Sequence, residues 1–157
     1  EGGGTSGWGL HRRLLSEGRV RAASRLYANP PRFHEVRGVV EMADQRGREL
    51  GFPTANVCTA NELVPPSGVY ATLVTIDGVV HPSITNIGVR PTFGDVDRQV
   101  IETHLFDVDR DLYDAQVRLS FVQRLRDERA FPDVDALRAQ IDADCRVAQR
   151  LFGHISL

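Results

Sequence analysis

The stretch "VYATLVTIDGVV", residues 69–80, decides the fold. Val69 to Ile76 is an eight-residue run rich in β-branched and aromatic side chains, the residue types that fit a pleated, half-buried surface. Asp77-Gly78 follows it and Val79-Val80 resumes the apolar character, so the spacing predicts a β-hairpin closed by a type I′ turn. Further strands are expected on either side. Val36 to Val40 is short and β-branched, and Gln116 to Phe121 alternates strictly between polar and apolar residues, as a half-buried strand does. Short strands punctuated by Gly, Pro and Asp predict a small antiparallel barrel or sandwich.

Two helical patterns flank this region. Val134, Leu137, Ile141, Cys145, Ala148, Leu151 and Phe152 recur three or four apart, starting after Pro132-Asp133 and stopping at Gly153. That stripe predicts one amphipathic helix lying across the barrel. At the other end, Leu10, Leu14 and Leu15, then Val20, Ala23, Leu26 and Tyr27, predict two short helices on either side of Gly18, ended by Asn29-Pro30-Pro31. Residues 1–32 are therefore expected to form an appendage or linker, and residues 33–157 the barrel domain.

Composition narrows the function. A chain of 157 residues with 41% hydrophobic and 25% charged content is one globular domain in size. A net charge of -2 from 19 basic and 21 acidic residues, with no long run of either sign, offers no footprint for nucleic acid or an anionic membrane. Small-molecule partners are expected, and a monomer. All the basic residues are arginine, which excludes the lysine-dependent phosphate sites of P-loop enzymes and protein kinases. Cys58 and Cys145 stand alone, outside metal-ligand spacing. No apolar stretch approaches 18 residues and the glycine-rich start lacks a signal-peptide core, so a cytoplasmic location is expected.

Candidate chemistry lies in four places. In "GFPTAN", residues 51–56, an extended chain would set the Thr54 hydroxyl and Asn56 amide on one side, within about 7 Å. Neutral oxygen ligands suit Mg²⁺ that arrives with substrate phosphates, but the same residue types also bond backbone around a turn. Glu102, in a strand-like segment, would share a face with Val100, His104 and Phe106, where apolar surroundings make a carboxylate a better base; an outward, solvated Glu is the alternative. Asn86 to Gly94 is expected as a loop that brings backbone amides to a ligand or merely joins strands. Arg124 to Glu128 before Phe131 is a charged connector or a ligand-contacting turn.

Together these segments resemble the riboflavin kinase family, in particular the kinase module of bacterial bifunctional riboflavin kinase/FAD synthetases. The resemblance rests on Arg46-Gly47-Arg48 with Leu50 to Asn56, on Pro66 to Tyr70, on Asn86 to Phe93, on Glu102 to Leu105, and on Arg124 to Glu128 with Phe131. It implies a mainly β fold, a six-stranded antiparallel Greek-key barrel with a C-terminal helix across it. It also implies transfer of the γ-phosphoryl group of ATP to the ribityl 5′-hydroxyl of riboflavin, giving FMN. Carried over, Glu102 would be the catalytic base, and Thr54 and Asn56 would hold Mg²⁺. Arg48, Gly51, Phe52 and Pro53, with Thr54 and Asn56, would contact the nucleotide; Asn86, Gly88, Arg126, Asp127, Glu128 and Phe131 would contact the flavin. Where the family runs through a Gly-rich flap, this chain has Met42-Ala43-Asp44-Gln45, which motivates a second expectation: a flavin-binding or regulatory domain with weak or lost kinase activity. Residues 1–32 lack a histidine-glycine-histidine element and the length of an adenylyltransferase domain, so FAD synthesis is not expected.

Overall fold

The computed structural model describes residues 7–21, 33–41, 54–61, 63–90, 98–106, 108 and 110–153. Along the chain these form α1 (Gly7–Ser16), β1 (His34–Glu41), β2 (Ala55–Thr59), β3 (Gly68–Ile76), β4 (Val79–Arg90), β5 (Arg98–Leu105), β6 (Gln116–Arg126) and α2 (Val134–Gly153). The predicted hairpin is β3–β4, with Ile76 paired to Val79. Asp77 and Gly78 both have positive φ, 51° and 77°, as a type I′ turn requires.

All six strands pair antiparallel and close in the order β1-β2-β5-β4-β3-β6. Neither β2 and β3 nor β5 and β6 are sheet neighbours, so those connections cross the barrel and the topology is a Greek key. Side-chain alternation then sorts residues between an inner and an outer face. Val36, Val40, Val57, Val74, Ile87, Ile101, Leu119 and Phe121 fill the interior, and Tyr70 meets Phe121 edge to face at 5.3 Å.

The interior also holds the buried aliphatic hydroxyls of Thr72, Ser83, Thr85 and Thr103. Thr85 donates to Thr103 (2.9 Å), Thr103 to the Ile84 carbonyl (3.3 Å), and Ser83 to the Thr72 carbonyl (3.0 Å). Thr72 Oγ1 lies 2.7 Å from Ser83 Oγ and 2.8 Å from Thr85 Oγ1, so the bonds run as one chain across β3, β4 and β5. Each hydroxyl has a partner, which is what makes burying it tolerable.

α1 ends in a Schellman motif: Gly18, at φ +76°, donates to the Leu15 carbonyl at 3.0 Å and Arg19 to that of Leu14 at 2.8 Å. Leu14, Leu15 and Val20 belong to the same core cluster as the barrel side chains. Most of the second helix expected near Val20 to Tyr27 lies outside the described residues.

α2 runs where its apolar stripe predicts and lies against β4 and β6. Asp133 caps it, accepting from the Ala136 amide at 2.7 Å. Its deepest charged residue is one the stripe omits: Asp144, 5% exposed, accepts from Arg126 Nε and Nη2 at 3.0 and 2.8 Å and from Gln140 at 2.9 Å. That clamp fastens the helix to the end of β6. No helix among the described residues is long and apolar enough to cross a membrane.

One expectation is corrected. Asn86 to Arg90 is strand, not loop, because Asn86 pairs with Glu102, Gly88 with Val100 and Arg90 with Arg98 on β5. A sequence of Asn, Gly and Pro reads as punctuation, yet cross-strand pairing holds this segment extended as far as Arg90.

Candidate active site

Register brings three of the expected site residues into one row. Asn56 on β2 faces Glu102 on β5, and Glu102 faces Asn86 on β4. Directly opposed residues project to the same side, and neighbouring strands are about 4.8 Å apart, so the row spans roughly 10 Å with the carboxylate in the middle. Ala55 and Val57 point inward on β2, and Thr85, Ile87, Ile101 and Thr103 do so on β4 and β5. The row therefore lies on the outer face. All three members are half-buried rather than solvated.

Asn86 carries the sharpest signal. Its Oδ1 is buried and has no hydrogen-bond partner among the described residues. An orphaned buried acceptor costs about 1–3 kcal/mol, so it marks a place where a donor from beyond the described residues belongs. Thr54, partly buried, leads directly into β2 one residue ahead of the inward-facing Ala55. Its hydroxyl and the Asn56 amide oxygen are neutral hard-oxygen donors of the kind that suit Mg²⁺. No group of three or more His, Cys, Asp or Glu side chains among the described residues could hold a metal, so a cation here would take the rest of its shell from phosphate and water.

The row continues through β3 to β6. Val69 pairs with both Asn86 and Arg126, which places the expected flavin-side residues beside the carboxylate row. A Cβ built on Gly88 would lie 2.5 Å from Glu128 Oε1, so the missing side chain is the space Glu128 occupies. Arg126 is held by Asp144, donates from Nη1 to the Asp127 carbonyl at 3.0 Å, and lies 5.7 Å from the centre of the Phe131 ring. Arg129 stacks on that ring at 4.7 Å. Asp127 accepts a hydrogen bond from Arg124, and this bond, ahead of the opposing effect of burial, raises the Arg124 pKa. Arg124 also lies beside Tyr70, whose hydroxyl donates to the Pro66 carbonyl at 2.7 Å and whose pKa burial raises.

Arg48, Gly51, Phe52 and Pro53 lie outside the described residues, as does the Met42 to Gln45 segment. Sequence reasoning missed Asp144 and the buried hydroxyl chain. Asp144 could have been noticed as the one acidic residue of the helix that stands three or four positions from both Ile141 and Ala148 of the stripe.

The geometry defines a Greek-key barrel that presents a carboxylate between two carboxamides on its outer face. A family profile described as "Flavokinase: Riboflavin kinase" matches residues 30–152, and the chain belongs to the riboflavin kinase family. It is 37% identical over 147 residues to a bifunctional riboflavin kinase/FMN adenylyltransferase of Bacillus subtilis (strain 168), covering 92% of this chain and 46% of that protein. It is 39% identical over 140 residues to a protein of the same description from Pseudomonas fluorescens, covering 89% and 44%. The chain thus spans a little under half the length of these relatives. A solved riboflavin kinase from Trypanosoma brucei shares the fold, with a TM-score of 0.56 at 21% identity over 76% of this chain and 80% of that one. A solved chain described as a macrolide-efflux protein from Streptococcus pneumoniae superimposes at a TM-score of 0.81 and 31% identity over 89% of this chain and 45% of that one.

Proposed function

We propose that this chain transfers the γ-phosphoryl group of ATP to the ribityl 5′-hydroxyl of riboflavin, giving FMN. The observation that carries the proposal is the Asn56–Glu102–Asn86 row, in which a carboxylate is centred between two carboxamides and one amide oxygen lacks a donor among the described residues. Phosphoryl transfer asks for alignment and charge neutralisation more than covalent help.

In this proposal Glu102 accepts the proton of the ribityl hydroxyl as that oxygen attacks phosphorus. Thr54 and Asn56 would hold Mg²⁺, which when bound neutralises charge on the phosphate oxygens. Arg48, Gly51, Phe52 and Pro53 complete the nucleotide side. Asn86 accepts a hydrogen bond from the flavin substrate, and Gly88, Asp127, Glu128 and Phe131 border it. Arg126, already committed to Asp144, acts by holding Asp127 and Phe131 in place. Residues 33–157 form the kinase unit and residues 1–32 an N-terminal appendage or linker; the protein works as a cytoplasmic monomer on small molecules, without nucleic acid.

The test is direct. Purified protein with riboflavin and Mg-ATP should yield FMN, followed by chromatography, and no FMN when Mg²⁺ is chelated. Flavin binding without FMN at high protein concentration would leave a regulatory flavin-binding domain instead.

A further inference from the structure

A second site stands about 20 Å from the carboxylate row, six residues along β3 from Val69 to Thr75. Arg37 on β1 is the direct cross-strand partner of Arg118 on β6, and Arg118 pairs in turn with Thr75 on β3. Both arginines are exposed and border an open groove of about 780 Å³ that also runs past Thr59, Gln116 and the β3–β4 turn. Like charges directly opposite each other in a sheet repel and are destabilising. Arg98, which also faces an arginine (Arg90) across the sheet, has Glu41 as a partner, and Arg124 and Arg126 have Asp127 and Asp144. Among the strand arginines whose side chains are described, only Arg37 and Arg118 have no carboxylate. Asp77 borders the groove without an ion pair to either.

We propose that the Arg37–Arg118 pair is an anion site that takes the phosphate group of a small ligand, separate from the site of phosphoryl transfer. Phosphate fits better than carboxylate. One guanidinium fork satisfies both oxygens of a carboxylate, whereas a phosphate dianion has three oxygens and the charge to bridge two forks. Thr75 and Gln116 lie beside the pair as further donors, and the groove has the volume of a small-molecule site. The ligand could be inorganic phosphate or the phosphate end of an organic molecule, the shared chemistry being the dianion.

The test reads the two side chains themselves. In Mg²⁺-free buffer with EDTA, the Nε–Hε resonances of Arg37 and Arg118, assigned from single Gln variants, are followed while phosphate, pyrophosphate, glycerol 3-phosphate or acetate is added at constant ionic strength. The proposal expects saturable shifts of both resonances with the phosphates and at least threefold smaller ones with acetate. Tighter binding of glycerol 3-phosphate would assign the groove to an organic ligand; equal binding would assign it to the bare anion. The R37Q/R118Q protein should show no anion-dependent shift at groove amides while forming FMN within twofold of the parent rate. Equal, unsaturable shifts with acetate, or a tenfold loss of FMN formation in that variant, would overturn the separate site. Should the parent chain make no FMN at all, the resonance titration still decides the question.

Discussion

Thr85 and Thr103 face into the barrel from β4 and β5; Asn86 and Glu102, each one residue away along the same strands, face out. The two pairs are built from similar polar side chains on the same backbone, and their surroundings differ in one respect. Inside, every hydroxyl from Thr72 to Thr103 has a hydrogen-bond partner within the chain. Outside, the Asn86 acceptor is buried with no such partner among the described residues. A barrel that can satisfy four interior hydroxyls has no structural need to strand an amide oxygen next door. The contrast separates polarity that holds the fold from polarity kept open for a ligand.

The largest test of this contrast is Glu102→Gln. The amide keeps the shape of the row but cannot take a proton, and a positioned general base is worth about 10² to 10⁴ in rate. FMN formation measured at saturating substrates should fall by that factor, with riboflavin affinity changed little. Near-parental turnover would remove Glu102 from the chemistry and with it the distinction between the two faces.

Thr103→Val makes the opposite change on the inner face. Valine fits the volume but deprives the Thr85 hydroxyl of its acceptor and leaves it buried, so the chain should lose about 1–3 kcal/mol of stability in urea unfolding. The rate per folded molecule should stay near the parent's. A large fall in kcat with unaltered stability would mean that the interior chain takes part in catalysis.

These expectations also show how much could be read without coordinates. The hairpin at Asp77-Gly78, the strands near Val36 and Gln116 and the helix from Val134 were legible because period and turn chemistry are local properties. Thr54, Asn56 and Glu102 were legible as candidates through a resemblance, but the pairing of Asn56 with Glu102 and of Glu102 with Asn86 was not. Register joins residues 46 and 16 apart in the chain, and no local pattern fixes it. The same reason hid Asn86 to Arg90, whose strand is defined by its partner on β5. Asp144 was obscured differently: a helical stripe counts apolar residues and passes over a buried carboxylate whose arginine comes from another element.

Asn86→Leu sharpens the comparison at a smaller scale. If the open acceptor serves a ligand, deleting it should leave stability unchanged or raise it by up to about 1 kcal/mol, since an unpaired buried acceptor is lost. The KM for riboflavin should rise roughly tenfold, the worth of one hydrogen bond to a ligand. A stability loss of several kcal/mol with unchanged KM would place Asn86 with the threonines, as part of the scaffold.

The smallest expected effect concerns Cys145 on α2, which tests whether the helix under the clamp is packed or merely laid down. Burial, reinforced by the nearby Asp142 and Asp144 charges, pushes this thiol from its ordinary value of 9.0 up to about 11. The folded chain thus favours the protonated thiol, and the sign follows. Its contribution is intact below pH 9 and is lost as pH rises toward 11. Because the side chain is only partly buried, solvent screening reduces the contribution to about 1 kcal/mol. Urea midpoints measured from pH 8 to 11 should decline more steeply for the parent than for Cys145→Ala. Parallel curves would mean that α2 leaves this thiol open to water, and that its attachment to the barrel rests on Arg126 and Asp144 more than on the apolar stripe.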